Sequence, residues 1–478
     1  MKKFLYVTCF ITGAVVLILE VLGFRLFAPY FGNSVYVSGS LIGIILAALS
    51  LGYFLGGMLA DKYPSKKNLY YLIFSSGIYL SLVFIFYKKF LLIIQGFGIV
   101  YGTIFSTIIV FWIPMTLLSM VSPYIIKLLA NEKEIGRISG NIFSISTLGS
   151  ITGSFLATFF LLPYLGTNTT LKLSIIILFA ISIIGLIIEK KINAGMWLFL
   201  LLVIIPQPVL KDPGLIYETE SSYNIIKIYE NYGIRYMTLN NPKWRQSYLP
   251  TPGKILESYR EYFNLAPYIV DVKDVLILGM SAGASVHELR TFFNVSIDAV
   301  EIDPKVVELA KEYFAIKDDN YLNIYVEDAR TFIQTTDKKY DFIEIDLFHG
   351  GPEIPFYTAT KEFFESIYDR TSDNGIVMMN VLGSVESDTG ELVNAIGDTM
   401  TVVFPSVFVF PMDGNSIIIA TKQKMGLDEI KKKLQITDFK VFANNMRKDI
   451  YIHVSQGNML TDDKSNVELM SQKILRKL

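Results

Sequence analysis

Residues 275–303, VLILGMSAGASVHELRTFFNVSIDAVEID, have residue types and a spacing that suit the binding of a nucleotide-like ligand. An apolar run is followed by Gly279, Ser281 and Gly283, and a second apolar run ends in Glu301. Glycines between a strand and a helix let the backbone approach a ligand, and an acidic residue about 20 positions later accepts the hydroxyls of a ribose. The segment therefore predicts a site for a nucleoside-bearing cofactor.

Two further strand ends carry acidic side chains of the same kind. Asp328, followed by Ala329, comes directly after one apolar run, and Asp346 comes after another. The carboxyl ends of parallel strands meet at one edge of a sheet, where ligands bind. A carboxylate accepts hydrogen bonds, so we expect Asp328 to bind the exocyclic amine of an adenine.

Strands and helices alternate from about residue 274 onward, which predicts a largely parallel, doubly wound sheet. A short turn separates the last two strands, so we expect them to form an antiparallel hairpin at one edge. That order is typical of the methyltransferase-type Rossmann domain. The predicted strands are 275–279, 296–301, 322–326, 340–346, 375–381, 404–410 and 415–421, and the predicted helices are 283–293, 304–314, 358–371 and 388–402.

The glycine turn also fits a different chemistry, the nucleophile elbow of hydrolases. Ser281, Asp346 and His453 follow one another in the chain order of such a catalytic triad. This alternative leaves Glu301 and Asp328 without a role, and no oxyanion-loop motif lies upstream. We therefore expect Ser281 to donate or accept a hydrogen bond at the cofactor.

The first part of the chain is apolar enough to cross a membrane repeatedly. Several apolar stretches approach the roughly 20 residues that span a bilayer, and the first lacks the cleavage site of a signal peptide. We predict a multi-pass domain in residues 1–210, with a broken or re-entrant pair as the alternative for 90–130. The predicted spans are 4–24, 36–60, 69–87, 90–107, 108–130, 139–163, 170–188 and 194–210.

Composition supports a membrane protein with a soluble half. Of the 478 residues 52% are hydrophobic and 18% are charged. Residues 1–210 hold 14 lysines and arginines against 5 acids, whereas residues 211–478 hold 29 against 39. An acidic soluble half argues against nucleic acid as a partner. The single cysteine excludes an intrachain disulfide, and the three scattered histidines predict no metal site.

We divide the soluble half into three parts. Residues 211–265 are β-rich and predict a small N-terminal subdomain, with a hairpin turn at 231–233. Residues 266–425 form the Rossmann-like domain, and residues 426–478 are a C-terminal extension.

Two charges in or near the first predicted span, Glu20 and Arg25, have two interpretations. Ionisable groups in a membrane are costly and usually face a partner or a cavity. The two side chains either pair with each other or line a polar pocket for a lipid-phase substrate.

The soluble half resembles the spermidine synthase family of aminopropyltransferases, and the whole chain resembles members fused to a multi-span membrane domain. The resemblance covers nearly the whole chain. The motifs that carry it in the soluble half are YETESSYNIIKI (217–228), VEIDPKVVELAKEYF (300–314), VEDAR (326–330), YDFIEIDLF (340–348), IPFYTATKEFF (354–364) and LTDDKSNVEL (460–469). The membrane half adds EVLGFRLFAPYFG (20–32) and LGYFLGGMLADKYP (51–64).

The resemblance implies roles for several side chains. Glu301 holds the ribose, Asp328 holds the adenine, and Asp346 is the first acid of the family's D-x-x-D loop. The substrate-binding residues that it implies are Tyr223, Tyr357, Asp462 and Asp463.

The chain departs from the family pattern in three places. Ala282 stands where the family has an aspartate in the glycine turn. His349 stands where the family has the second loop acid, which makes it a candidate base, and Asn224, which we expect to contact the cofactor, replaces a glutamine. A histidine accepts a proton near neutral pH. We therefore expect Asp346 and His349 to be catalytic.

We expect a membrane-bound transferase that uses decarboxylated S-adenosylmethionine or S-adenosylmethionine and transfers an aminopropyl group to an amine. One alternative is methyl transfer to a membrane-associated acceptor, and another is a polyamine or lipid transporter or sensor. The acceptor is then a small amine or a lipid-phase molecule. The soluble half is expected in the cytoplasm, where the donor is made, and the resemblance makes a homodimer plausible.

Overall fold

The computed structural model describes residues 2–32, 34–130, 134–191, 212–241, 244–249, 258–348, 354–383 and 390–475. The chain divides into two compact units, Met1–Lys211 and Asp212–Leu478.

The first unit is helical. Four stretches, Lys2–Phe31, Val35–Lys62, Lys66–Leu129 and Ile135–Ile188, are long and apolar enough to cross a membrane. The helices are α1 (Lys2–Phe31), α2 (Val35–Lys62), α3 (Lys66–Ile94), α4 (Ile99–Thr107), α5 (Ile113–Ser119), α6 (Val121–Leu129), α7 (Ile135–Leu156) and α8 (Gly166–Ile188).

Two glycines divide the two longer stretches. Gly98 has a φ of 78° and Gly166 a φ of 74°, a conformation that glycine adopts at little cost. Helix α3 packs against α5, so the chain reverses direction after Gly98. The predicted spans 90–107 and 108–130 are therefore wrong: residues up to Ile94 belong to α3, and helical structure continues from Ile99 to Leu129. The predicted span 194–210 lies outside the described residues.

Two prolines in this unit lie in or next to π-helical segments. Pro114 lies in the first turn of α5, directly after a π-helical segment at Ile108–Trp112. Pro163 lies within a second π-helical segment, Ala157–Leu165. A wider π turn accommodates a residue that has no N–H to donate. Helical structure over 99–129 is thus divided into α4, the π-helical segment, α5 and α6, which fits the broken form of the alternative for 90–130. The re-entrant form of that alternative stays a prediction.

Helices α1 and α7 pack closely because glycines face the neighbouring backbone. A Cβ atom on Gly149 would lie 2.1 Å from the Phe10 carbonyl oxygen, and one on Gly153 would lie 2.2 Å from that of Ala14. Small residues at such contacts let two helix backbones approach each other. Close packing thus fixes α7 against α1.

The second unit begins with a small antiparallel sheet. It contains β1 (Leu215–Glu220), β2 (Ile225–Asn231), β3 (Ile234–Leu239) and β4 (Arg245–Tyr248), in that order. Tyr232 and Gly233, with φ values of 53° and 77°, form the predicted hairpin turn. This sheet packs on the helix Pro304–Tyr313, because Ile228 and Met237 share an apolar cluster with Leu309.

The larger sheet has eight strands in the order β12-β10-β11-β9-β8-β5-β6-β7. Strands β5 to β9 are parallel to one another. Strand β11 is antiparallel to β9 and forms the expected antiparallel hairpin with β10. The strands are β5 (Asp274–Leu278), β6 (Ser296–Glu301), β7 (Leu322–Val326), β8 (Tyr340–Ile345), β9 (Thr371–Leu382), β10 (Ser406–Pro411), β11 (Asn415–Thr421) and β12 (Tyr451–Ile452). The methyltransferase-type fold is therefore confirmed, and β12, which pairs with β10, is an added edge strand.

Helices cover both faces of this sheet. The helices are α9 (Ala266–Ile269), α10 (Ala284–Phe292), α11 (Pro304–Tyr313), α12 (Ala329–Thr335), α13 (Lys361–Arg370), α14 (Gly390–Val403), α15 (Leu427–Lys433), α16 (Lys440–Asp449) and α17 (Val467–Leu475). Helices α15 and α16 bury side chains on one face, and α17 buries side chains on the other. Residues 259–269 also pack into the core of the large sheet. Residues 259–265, which the sequence places in the small subdomain, therefore pack with the Rossmann core. Helices α15 to α17, which the sequence places in the C-terminal extension, do the same.

We predict that Gly149→Ala weakens the membrane unit and that Gly140→Ala does not. The added methyl at 149 would overlap the Phe10 carbonyl, whereas a Cβ on Gly140 meets no atom within 4 Å. Overpacking typically costs about 1–3 kcal/mol. Thermal unfolding in detergent measures both variants, and equal unfolding temperatures would contradict the close contact of α1 and α7.

Candidate functional site

The predicted site residues follow neighbouring strands at one edge of the large sheet. Asp328 follows β7, Glu301 ends β6, Gly279 follows β5 and Asp346 follows β8. These four strands are adjacent in that order, so the residues form a row along the edge. A cleft with about 700 Å³ of empty space, part of it open to solvent, runs along the row. It is lined by Asn224, Leu239, Gln246, Gly279, Ser281, Val300, Glu301, Ile302, Glu327, Asp328, Ala329, Asp346, Leu347, Phe348, Pro355, Tyr357 and Thr358.

The glycine turn lies directly on the end of β8. Gly279 has a φ of 96°, and a Cβ there would lie 2.3 Å from the Asp346 carbonyl oxygen. Gly283, with a φ of 83°, precedes α10 and packs against Ile316. Gly283 therefore shapes the turn but does not line the cleft, in contrast to Gly279 and Ser281.

Glu301 is buried at the centre of the row and is fixed by backbone donors. One carboxyl oxygen accepts from the Ser281 N–H at 2.9 Å, and the other accepts from the Asp303 N–H at 3.1 Å. Burial raises the pKa of Glu301 to about 7, although these backbone donors act in the opposite direction. Each oxygen retains a second lone pair, so both hydroxyls of a ribose can donate to this carboxylate.

Asp328 caps α12 at the edge of the cleft. Its Oδ1 accepts from the N–H groups of Arg330 and Thr331, at 2.9 and 3.0 Å. Its Oδ2 accepts from the Tyr357 hydroxyl at 3.0 Å. Burial and then the charge of Asp328 raise the pKa of Tyr357 to about 12, so the hydroxyl stays a donor. The second lone pair of Oδ2 is available to an adenine amine.

Asp346 is held by two hydrogen-bond donors and lies beside a cation. Its Oδ2 accepts from the Tyr259 hydroxyl at 2.8 Å, and its Oδ1 accepts from the Asn380 amide at 3.0 Å. The guanidinium of Arg260 lies 3.8 Å from Oδ2, and both side chains are less than a tenth exposed. Asp346 is therefore a fixed carboxylate beside a fixed cation.

A second group of acids is buried near Arg260. Burial, and then neighbouring negative charge, raise the pKa of Glu261 to about 7. Burial likewise raises the pKa of Glu288, with which Glu261 shares the Tyr248 hydroxyl and the Asn264 amide as donors. Two carboxyls so close together hold one proton between them.

Glu344 lies two residues before Asp346 on the same face of β8. Its Oε1 accepts from the Ser285 hydroxyl at 2.6 Å, whereas its Oε2 has no hydrogen-bond partner in the described part of the chain. Burial raises the pKa of Glu344 to about 8. The sequence gave no signal for this residue, because an acid inside an apolar strand forms no motif.

Of four other predicted site residues, three line the cleft and one does not. Asn224 and Tyr357 line the cleft, but the Asn224 amide already donates to Asp303 at 3.0 Å and accepts from Asn240. Ala329 lines the cleft as the first residue of α12. Tyr223 is exposed and is absent from the lining that the described residues form, although it lies near enough to Tyr357 to raise its pKa.

The predicted C-terminal acids lie beside the site. Asp462 accepts two hydrogen bonds from Arg330, at 2.7 and 2.5 Å, and one from Thr360. Its charge is therefore compensated by a neighbouring cation, and its role in binding a cationic acceptor stays a prediction. Asp463 is exposed, and His349 lies outside the described residues.

The hydrolase triad is not formed. His453 pairs with buried Asp398 at 2.7 Å, and Asp346 pairs with Tyr259 and Asn380. Ser281, with a φ of 50°, has a hydroxyl that is buried and has no partner among the described residues. An unpaired hydroxyl in the cleft costs free energy that a ligand hydrogen bond would recover. Together with the spare lone pairs of Glu301, it fits a nucleoside.

Sequence analysis missed several residues that lie in or beside the cleft. Gln246, Leu347 and Phe348 line it, and Arg260 contacts Asp346 from outside the expected strand ends. Tyr259 and Arg260 belong to a short 3-10 helix, Tyr259–Leu265, that precedes the sheet. The regular spacing of Tyr259, Tyr262 and Phe263 was the available signal, since these aromatic residues anchor that helix in the core.

Comparison with known proteins gives one family match. Residues 257–453 match the spermine/spermidine synthase domain family. A probable polyamine aminopropyl transferase of Bifidobacterium longum is 27% identical over 54% of this chain and 63% of its own length. A polyamine aminopropyltransferase of Clostridium beijerinckii is 30% identical over 29% of this chain and 51% of its own length. The chain thus spans less than two thirds of the length of either relative.

A solved structure is similar to the same region. It is a probable spermidine synthase from Corynebacterium glutamicum, 17% identical, with a TM-score of 0.42 over 54% of this chain and 99% of that one.

We predict that Glu344→Gln makes stability less dependent on pH. The folded protein holds the Glu344 proton up to about pH 8, whereas an unfolded glutamate loses it near 4.5. The stabilisation is therefore complete below pH 4.5 and is lost as pH rises through 8, at a cost on the order of 4 kcal/mol. Thermal unfolding of the full chain between pH 6 and 9 measures this, with exposed Glu365→Gln as the control. Parallel curves for Glu344→Gln and wild type would contradict it.

A second prediction concerns Glu301 and nucleoside binding. The ionised carboxylate accepts both ribose hydroxyls, so binding of methylthioadenosine should tighten as pH rises through about 7. We expect about a tenfold change in Kd between pH 6 and 8. Calorimetric titration of Glu301→Gln should give weaker binding with no such pH dependence, whereas the exposed control Glu308→Gln should behave as wild type. If Glu301→Gln kept the wild-type pH profile, Glu301 would not be the residue that binds the ribose.

Proposed function

Because residues 257–453 match the spermine/spermidine synthase domain family, we propose that the protein is a membrane-bound transferase acting on an adenosyl sulfonium. The proposed reaction moves the aminopropyl arm of that donor to an amine acceptor. The observation that carries the proposal is the row of polar groups at four adjacent strand ends, with the unpaired Ser281 hydroxyl among them.

The row matches the parts of an adenosine in order. Asp328 and Tyr357 would hold the adenine at one end, and Glu301 would hold the ribose next to it. Gly279 lines the cleft at the next strand end, where the sulfonium would lie. Adjacent strands are about 4.8 Å apart, so β7 to β8 is roughly 14 Å, which suits an extended nucleoside with its arm.

The donor supplies an electrophilic carbon next to a positive sulfur. The amine nitrogen forms a bond to that carbon, the carbon–sulfur bond breaks, and methylthioadenosine leaves. The protein's residues orient the two reactants and accept the proton that the amine loses. Asp346, fixed by Tyr259 and Asn380, would orient the arm and attract a cationic amine.

The proton acceptor is proposed to be Asp346 or His349. Asp346 lies 3.8 Å from the Arg260 guanidinium and lines the cleft. A neutral histidine is the stronger base near pH 7. Tyr223 and Tyr357 would line the acceptor pocket, and Asp462 and Asp463 would bind a cationic acceptor.

Methyl transfer is a second candidate because the glycine turn lacks an acid. Ala282 is fully buried among apolar side chains, so no carboxylate in the turn holds an ammonium. The acceptor in that case would be a molecule at the membrane. The apolar helices support membrane attachment, and we propose a cytoplasmic soluble half because the donor is made there.

Labelled donors test the proposal. Donors carrying label in the methyl group or in the propyl arm are incubated separately with the full chain, an amine and membrane lipids. Aminopropyl transfer moves the propyl label and releases methylthioadenosine, whereas methyl transfer moves the methyl label and releases S-adenosylhomocysteine. Tight donor binding without either product would favour a sensor instead of an enzyme.

Asp346→Asn provides the residue-level prediction. We expect turnover to fall by about a hundredfold or more, because proton transfer and orientation each contribute at least that much. The Kd of methylthioadenosine should change little, since the nucleoside lies at the other end of the row. The control is Asp373→Asn, an exposed residue at the start of β9. Unchanged turnover in Asp346→Asn would argue against a catalytic Asp346.

A further inference from the structure

Arg260 brings a positive charge to the end of the cleft where the donor's arm would lie. Its guanidinium donates to the Gln246 carbonyl oxygen and lies 3.8 Å from the Asp346 carboxylate. The rings of Tyr259 and Tyr248 lie 4.5 and 5.9 Å from it and limit its movement. Both Gln246 and Asp346 line the cleft, so Arg260 is one contact away from a ligand on two sides.

Among the described residues, Asp346 carries the carboxylate that contacts the Arg260 guanidinium, at 3.8 Å. Burial raises the pKa of Glu344 to about 8 and that of Glu261 to about 7, which reduces the negative charge of these two carboxyls near neutral pH. Glu261 and Glu288 hold one proton between them, and the charge that this pair retains is bound by Tyr248 and Asn264. Arg260 and Asp346 therefore form a fixed pair at this end of the cleft.

This pair is complementary to the α-amino-acid group. That group carries an ammonium and a carboxylate on one carbon, and a carboxylate prefers the planar fork of a guanidinium. A guanidinium has five N–H donors, and only some are used by Gln246 and Asp346 in the contacts described above. Uncharged Ala282 in the glycine turn offers no repulsion to an incoming carboxylate.

We propose that Asp346 binds the ammonium and Arg260 the carboxylate of the donor's amino-acid arm, so that the donor is S-adenosylmethionine and not its decarboxylated form. This inference rests on the proposed function and makes its substrate specific. If the arm is the group transferred, the nitrogen–carbon bond forms as the carbon–sulfur bond breaks. The product then carries a 3-amino-3-carboxypropyl group, methylthioadenosine leaves, and the amine's proton passes to the base.

Three ligands separate this inference from the proposed function. Calorimetric titration of the full chain in detergent uses methylthioadenosine, S-adenosylmethionine and decarboxylated S-adenosylmethionine. We expect wild type to bind S-adenosylmethionine about 10-fold to 100-fold more tightly than the decarboxylated form, as a charge-assisted bidentate contact provides. Failure of all three ligands to bind would overturn the proposed function. Binding of methylthioadenosine with equal or better binding of the decarboxylated donor would overturn only the inference.

Variants assign the preference to Arg260. Arg260→Gln should lose it while retaining the wild-type Kd for methylthioadenosine, which also reports that the site is folded. Arg260→Lys keeps the charge without the fork and should retain part of the preference, so it serves if Arg260→Gln does not fold. The matched control is Arg245→Gln, because Arg245 also lies over a tyrosine ring, at 4.5 Å, but is exposed. A preference that persists in both Arg260 variants would overturn the assignment.

Discussion

The site depends on the contact between the glycine turn and the end of β8. Gly279 approaches the Asp346 carbonyl so closely that no other residue fits, and its positive φ turns the chain toward α10. The same turn directs the Ser281 N–H to Glu301, so one backbone conformation aligns three strand ends. A larger residue at 279 would move Asp346, Ser281 and Glu301 together. The arrangement of the cleft is therefore fixed by the backbone before any ligand arrives.

Much of this arrangement follows from local sequence. Glycines, strand periodicity and an acid at each strand end predicted the sheet order and placed Gly279, Glu301, Asp328 and Asp346 at one edge, because parallel strands end on the same side. The membrane spans were harder, since a nearly continuous apolar run does not show where a helix reverses. There the boundary depends on the conformation of Gly98.

The residues that the sequence did not predict act through tertiary contacts. Arg260, Glu344 and Glu288 come from three separate elements, and each looks ordinary in its own segment. Their roles arise from burial, which raises the pKa of both carboxyls and strengthens the attraction between the Arg260 guanidinium and Asp346. A sequence motif cannot reveal such a network. The network depends on which side chains share a space without water, and not on their spacing along the chain.

The link between Arg330 and Asp462 has a consequence for biogenesis. Arg330 donates to the Tyr357 carbonyl and to Asp462, which is 132 residues later in the chain. At 5–20 residues per second, a ribosome needs roughly ten seconds to add that segment. During this interval the apolar helices have already been made, while Arg330 lacks its carboxylate partner. The segment that carries Tyr357 therefore gains this contact only after translation has passed residue 462.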